Sequence, residues 1–304
     1  MAQTHKIYGH FSQRKNWSCR IAPRMVIVPQ SAPVMRLFQN MVRLTQPVRL
    51  AWQSAFRRLL VRPPALPKEY SQADFYWFMR SEIFHYSSRY ALRRVVIHEA
   101  ERLYAETRKG GAVLAFIHYG SFFLSGGAIV HQLGLPYTAM VSRRNLIPEM
   151  MPPEDIPYWH MVHGKAARLY RTSLLFTDEF PIKAIRWLKQ GHLLGMALDV
   201  REYGQRHKES LFEFMGEKIY MQYGPARVAR SADVPLIPMS IRYNQPAQLH
   251  HLRFGPPVRV DKDPRQATQT LLDFFSDDSL EEPAQLFHDI IKSFREPCRS
   301  SIIV

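Results

Sequence analysis

Gly111-Ala-Val-Leu-Ala-Phe-Ile-His118-Tyr-Gly-Ser-Phe-Phe123-Leu-Ser-Gly-Gly127 is the stretch whose reading decides the fold. Ala112 to Ile117 is a continuous apolar run that follows a glycine pair. Such a run reads as a strand buried on both faces of a parallel sheet. A parallel strand requires a crossover, and the apolar, helix-compatible segment from Ser121 to Leu133 supplies it. His118 then stands at the carboxyl end of a buried strand. Ligands bind at that edge of open α/β sheets, so an imidazole there is a candidate general base as well as a candidate structural histidine.

Working outward, the same grammar repeats. Tyr137 to Val141 reads as a second strand, and it ends in Ser142-Arg143-Arg144-Asn145. Guanidiniums at a strand end suit phosphate or carboxylate, or belong to a solvated loop. Pro148 to Pro157 reads as an irregular loop. Pro181 to Gln190 is a helix closed by Gly191, followed by a third buried strand, His192 to Leu198, that stops at Asp199. That aspartate is either a turn former or a site residue on the same edge as His118. Gly224-Pro225 opens a helix running to Ala232. Val234 to Arg242 is a fourth strand, Leu252 to Val260 an expected edge strand, and Glu282 to Arg295 an expected final helix. The segment from Tyr70 to Ala105 is aromatic-rich and helical in character. The expected fold is therefore α/β: a mainly parallel or mixed sheet with flanking helices, whose strand ends gather His118, Arg143, Arg144, Asp199 and Arg242.

The chain has 304 residues and a formal charge of +15, and the charge is unevenly placed. Twelve of the 41 basic residues lie within residues 1 to 68, before the first acid at Glu69. That leaves 29 basic against 26 acidic residues, a net of +3 for the remainder. Residues 1–68 thus form a basic arm and 69–304 the α/β domain. From Val48, apolar residues including Trp52, Phe56 and Leu60 recur at helical spacing beside Arg49, Gln53 and Arg57, with a shorter stripe before them. Helices of this kind lie on an anionic membrane surface or pack on the protein's own body. Each surface Arg contributes about 1 kcal/mol to anionic-lipid attraction.

Several chemistries find no support. Two cysteines, Cys19 and Cys298, imply neither a disulfide framework nor a zinc site. No run of about 18 apolar residues spans a bilayer, and the amino terminus lacks the order of a signal peptide. An acid-free, Arg-rich start also resembles a transit peptide. No Walker loop, Gly-x-Gly-x-x-Gly or Gly-x-Ser-x-Gly occurs. His160 with His163, and His250-His251, lack partners at metal-ligand spacing, so no metal and no cofactor is expected.

The order His118-Tyr-Gly-Ser-Phe-Phe, Ser142-Arg143-Arg144-Asn145, Ala184 to Gly191 leading to Leu198-Asp199, Tyr223 to Arg230, and Val234 to Arg242 resembles the lysophospholipid acyltransferase superfamily. It is most similar to the late acyltransferases of lipid A biosynthesis, over about Arg93 to Val260. The resemblance implies acyl transfer from a carrier-protein thioester to a lipid hydroxyl, at the cytoplasmic face of the bacterial inner membrane. It implies an acyl carrier protein, a membrane lipid and an anionic membrane surface as partners, and no nucleic acid.

In that family the histidine is followed five positions later by an acid, and here that position is Phe123. Asp199 is the candidate replacement and Glu202 the second. On this reading His118 and Asp199 are catalytic, while Arg143, Arg144, Asn145 and Arg242 bind substrate. A branch of the superfamily that transfers glycine from a carrier protein to lipid A is also described as lacking the usual acid, so an aminoacyl donor is an alternative. A non-catalytic membrane- or nucleic-acid-binding module with a degenerate body is another.

Overall fold

The computed structural model describes residues 66–82, 89–147, 156–178, 182–200, 209–261 and 263–297. All but the last three residues of the basic arm lie outside the described residues, as do Glu202 and most of the proline-rich loop.

Among the described residues nine strands form: β1 Val95–Ile97, β2 Ala112–Phe116, β3 Tyr137–Val141, β4 Leu175–Phe176, β5 Leu193–Ala197, β6 Glu209–Phe214, β7 Glu217–Gln222, β8 Leu236–Asn244 and β9 Leu249–Phe254. Seven make one sheet in the order β1-β9-β8-β2-β5-β3-β4. Every neighbouring pair in it is parallel except β8 with β9. β6 and β7 form a separate antiparallel hairpin.

The continuous apolar character of β2 has a direct cause. Ala112, Leu114 and Phe116 pack into one core, while Val113, Ala115 and Ile117 pack into a second on the opposite face. Each fully buried leucine in these layers contributes about 2 kcal/mol. The first layer is covered by α1 (Gln72–Glu82), α3 (Ala100–Thr107), α4 (Phe122–Ala128, continued by a π-turn to Leu133) and α5 (Ile156–Tyr170); α2 (Arg89–Arg93) packs beside it. The second is covered by α6 (Ile182–Lys189), α7 (Gly224–Ala232), α8 (Pro264–Glu281), α9 (Ile290–Phe294) and the hairpin.

Three sequence expectations need correction. The strand expected at Leu252 to Val260 runs from Leu249 to Phe254 and is interior, flanked by β1 and β8; it stops before Pro256-Pro257. His250 occupies an inward position in its alternation with Leu252 and Phe254, which disguised the period. The region read as helical from Tyr70 to Ala105 contains β1, the true edge. The final helix is broken: a 3₁₀ turn at Pro283–Gln285 is followed by a non-helical stretch, and only Ile290–Phe294 is helical. That stretch is held because Phe287 N–H donates to His118 O at 2.8 Å. α5 and α8 were not anticipated.

Among the described residues no helix is long and apolar enough to cross a membrane.

Candidate active site

β2 and β5 are adjacent and parallel, with Phe116 opposite Ala197, so the residues that follow them emerge side by side. His118 and Asp199 are those residues, and they meet. Asp199 Oδ1 lies 2.8 Å from His118 Nδ1, and Asp199 Oδ2 accepts the His118 backbone N–H at 3.0 Å. A carboxylate only accepts hydrogen bonds, so the ring nitrogen facing it carries the proton and Nε2 is left with its lone pair.

The carboxylate is fully buried while the imidazole side chain is 22% exposed. Burial drives the Asp199 carboxyl upward. The charges His118 and His288 carry when protonated, with the two hydrogen bonds from His118, outweigh it and hold Asp199 below the usual carboxylate range.

Gly120 makes the turn after His118 possible. Its φ is +58°, and a Cβ there would strike the backbone carbonyl of Ile241 in β8. Gly120 N–H donates to Gln285 O at 3.0 Å, and Tyr119 bridges to Leu286. The imidazole is then surrounded by rings. Phe122 stands edge-on with centroids 4.5 Å apart, Phe287 lies at 5.7 Å and Phe116 at 5.9 Å.

Phe123, at the position where an acid would be expected, packs against Phe122 at 4.3 Å and against the first core. The acid that meets His118 therefore comes from the next strand rather than from the helix that follows it.

Sequence reasoning missed a second buried cluster behind this turn. Ser121 Oγ donates to Glu82 Oε2 at 2.5 Å, and His250 Nε2–H donates to Glu82 Oε1 at 2.9 Å. Arg94 Nη1 approaches the same carboxylate at 3.7 Å. Glu82, Ser121 and His250 are each at most 1% exposed. The cluster ties the end of α1 and strand β9 to the residue that starts α4, three positions after His118. Its members are 39 and 168 residues apart along the chain, so no local pattern announces it.

The other expected site residues are distributed along the same edge. Arg143 Nε donates to Asp178 Oδ1 at 3.0 Å, and the guanidinium lies 3.9 Å over the Phe176 ring. Arg144 N–H bonds Ser142 Oγ at 3.3 Å, which starts a 3₁₀ turn that also contains Asn145. β5 separates these residues from His118, a lateral offset of roughly 10 Å at ordinary strand spacing. Arg242 is on β8, on the other side of β2, where it pairs with Glu281. The structure therefore joins His118 to Asp199 and ranges the arginines on either side. Among the described residues no group of three or more His, Cys, Asp or Glu side chains is arranged to hold a metal ion.

Comparison with known proteins places the chain in a family. No curated protein matches the chain. The model of the family described as bacterial lipid A biosynthesis acyltransferase matches residues 61–295, which includes every element of the sheet and both members of the His118–Asp199 pair. The chain belongs to the bacterial lipid A biosynthesis acyltransferase family, whose members are acyltransferases acting on lipid.

Proposed function

We propose that the protein moves a fatty acyl group from a carrier-protein thioester to a hydroxyl of a lipid acceptor such as lipid A. The 2.8 Å contact between His118 Nδ1 and Asp199 carries this reading. With Nδ1–H held by the carboxylate, Nε2 takes the proton of the acceptor hydroxyl as its oxygen attacks the thioester carbonyl. Asp199 supports the imidazolium that forms. The tetrahedral adduct then expels the carrier thiolate, which recovers the proton from His118 Nε2. Family membership supports acyl transfer to lipid; the donor and the acceptor's identity are this proposal's own.

The rings of Phe116, Phe122 and Phe287 around His118 form an apolar surround. Such a surround suits an acyl chain better than a glycyl group, and it keeps water from the thioester. On this reading Arg143, Arg144, Asn145 and Arg242 bind the phosphates of a lipid headgroup or of a carrier-protein prosthetic arm. The basic arm, residues 1–68, docks the enzyme on the anionic cytoplasmic face of the inner membrane.

Mass spectrometry of lipid A incubated with the enzyme and loaded carrier protein tests the proposal. A long-acyl mass increment that disappears with His118→Ala is expected, with the variant still folded. A glycine-sized increment would replace the fatty donor with the aminoacyl one. Unchanged turnover by His118→Ala, or no product from any thioester, would end the assignment and leave the non-catalytic module.

A further inference from the structure

The stretch between Gln285 and Asp289 is pinned to the His118 turn by two hydrogen bonds, Gly120 N–H to Gln285 O and Phe287 N–H to His118 O, which together make the Tyr119–Leu286 bridge. The next residue, His288, is thereby brought to the far side of Asp199. Its Nε2 is 3.5 Å from Asp199 Oδ2. That nitrogen is buried and has no hydrogen-bond partner. The ring is stacked on Phe294, at 6.1 Å and 24°, and lies 6.3 Å from the ring of His118. A buried nitrogen left short of an acceptor is costly, and the acceptor before it is a catalytic carboxylate.

We propose that His288 is a positioning residue for the His118–Asp199 pair. Its neutral ring donates Nε2–H to Asp199 Oδ2, which fixes the carboxylate plane with Oδ1 on His118 Nδ1–H. The inference rests on the catalytic reading of that pair.

Burial keeps the His288 imidazole below its ordinary value. Asp199 and Asp289 oppose this and His118 reinforces it, so the ring is neutral near pH 7 with a single N–H to give. Half an ångström of ring or carboxylate rotation closes the 3.5 Å gap to full hydrogen-bond length, and contacts of this sort tighten as the reaction proceeds. The two hydrogen bonds from His118 set the carboxylate plane from one side. The contact from His288 braces Oδ2 from the other.

Full-length His288→Phe and His288→Gln test the role. Phenylalanine keeps the stack on Phe294 and removes the donor; the glutamine amide places an N–H near the position of Nε2. His288→Phe is expected to lower kcat by about tenfold with little change in KM, while His288→Gln stays within about threefold of wild type. Nitrogen-15 NMR of the His118 ring supplies a readout independent of turnover. Nδ1–H dominates in the wild type and in His288→Gln, and Nε2–H gains population in His288→Phe.

Should His288→Phe not fold, His288→Asn takes its place. Its shorter amide reaches only where Nδ1 stands, so it falls as phenylalanine would. Unchanged kcat and unchanged His118 shifts in the donor-free variant would overturn the role, as would equal losses in His288→Phe and His288→Gln. His118→Ala run in parallel separates the two ideas: retained turnover there removes the catalytic reading, whereas its loss beside an unaffected His288→Phe removes only this one.

Discussion

Replacing Asp199 by asparagine is the sharpest perturbation this site offers, because the outcome is fixed by which groups cannot adapt. Asp199 Oδ2 accepts a backbone N–H, that of His118, and a main-chain donor cannot reverse its polarity. The asparagine carbonyl must therefore take the Oδ2 position, and its NH₂ group is forced into the Oδ1 position, 2.8 Å from His118 Nδ1. Two donors cannot face each other at that distance, so the imidazole moves its proton to Nε2. The nitrogen that should accept the substrate proton is then already protonated.

Both hydrogen bonds survive and the volume is unchanged, so folding is little affected. The chemistry is not. Loss of the correct tautomer in a comparable triad lowers kcat by about 10⁴-fold, or ~5.5 kcal/mol of barrier. Single-turnover transfer from loaded carrier protein, measured beside the thermal midpoint, reads the two effects separately. A rate within a few-fold of wild type, with fold intact, would refute the assignment of Asp199.

Two further outcomes follow from the geometry. Gly120→Ala places a side chain in left-handed backbone, at about 1–2 kcal/mol, and drives it into the Ile241 carbonyl, at about 1–3 kcal/mol of forced displacement. A midpoint lower by roughly 10 °C in a thermal melt is expected, and a shift of less than 2 °C would show that the turn relaxes freely. His163 is held by burial, with a smaller contribution from His160, down to about 4, and its Nδ1 is buried without a partner. The unfolded chain binds this proton near 6.5 and the folded chain only near 4. Stability is therefore intact above 6.5 and is lost as pH falls through that window, by about 3 kcal/mol. Denaturant titrations at pH 7.5 and 4.5 should show a smaller difference for His163→Leu than for wild type; equal differences would remove His163 as a cause.

The parallel core was legible because its strands are apolar on both faces. Ala112 to Phe116 and Leu193 to Ala197 need no partner to be recognised. For the same reason Asp199 stood out as a carboxylate at the stop of such a strand, adjacent to the one that ends at His118. Strand β9 was harder, because His250 takes an inward position that hydrophobicity alone assigns to an apolar residue. Its reason for being inside is Glu82, 168 residues away. His288 carried no local signal at all: its partner is distant in sequence, and the stretch around it reads as the start of a helix until Phe287 is seen bonded to His118. Pattern reveals what a residue does for its own element. It is silent on what one element does for another.

The pinning of Phe287 to His118 also sets an order on the assembly of this turn during synthesis. Translation delivers the central strands, His118 and Asp199 well before codon 287 is read, and the ribosome tunnel hides the newest residues for some time after. A nascent chain can thus complete most of its sheet while its reactive histidine still lacks one wall. The His118 turn is therefore complete only once Phe287 has been made and has joined it.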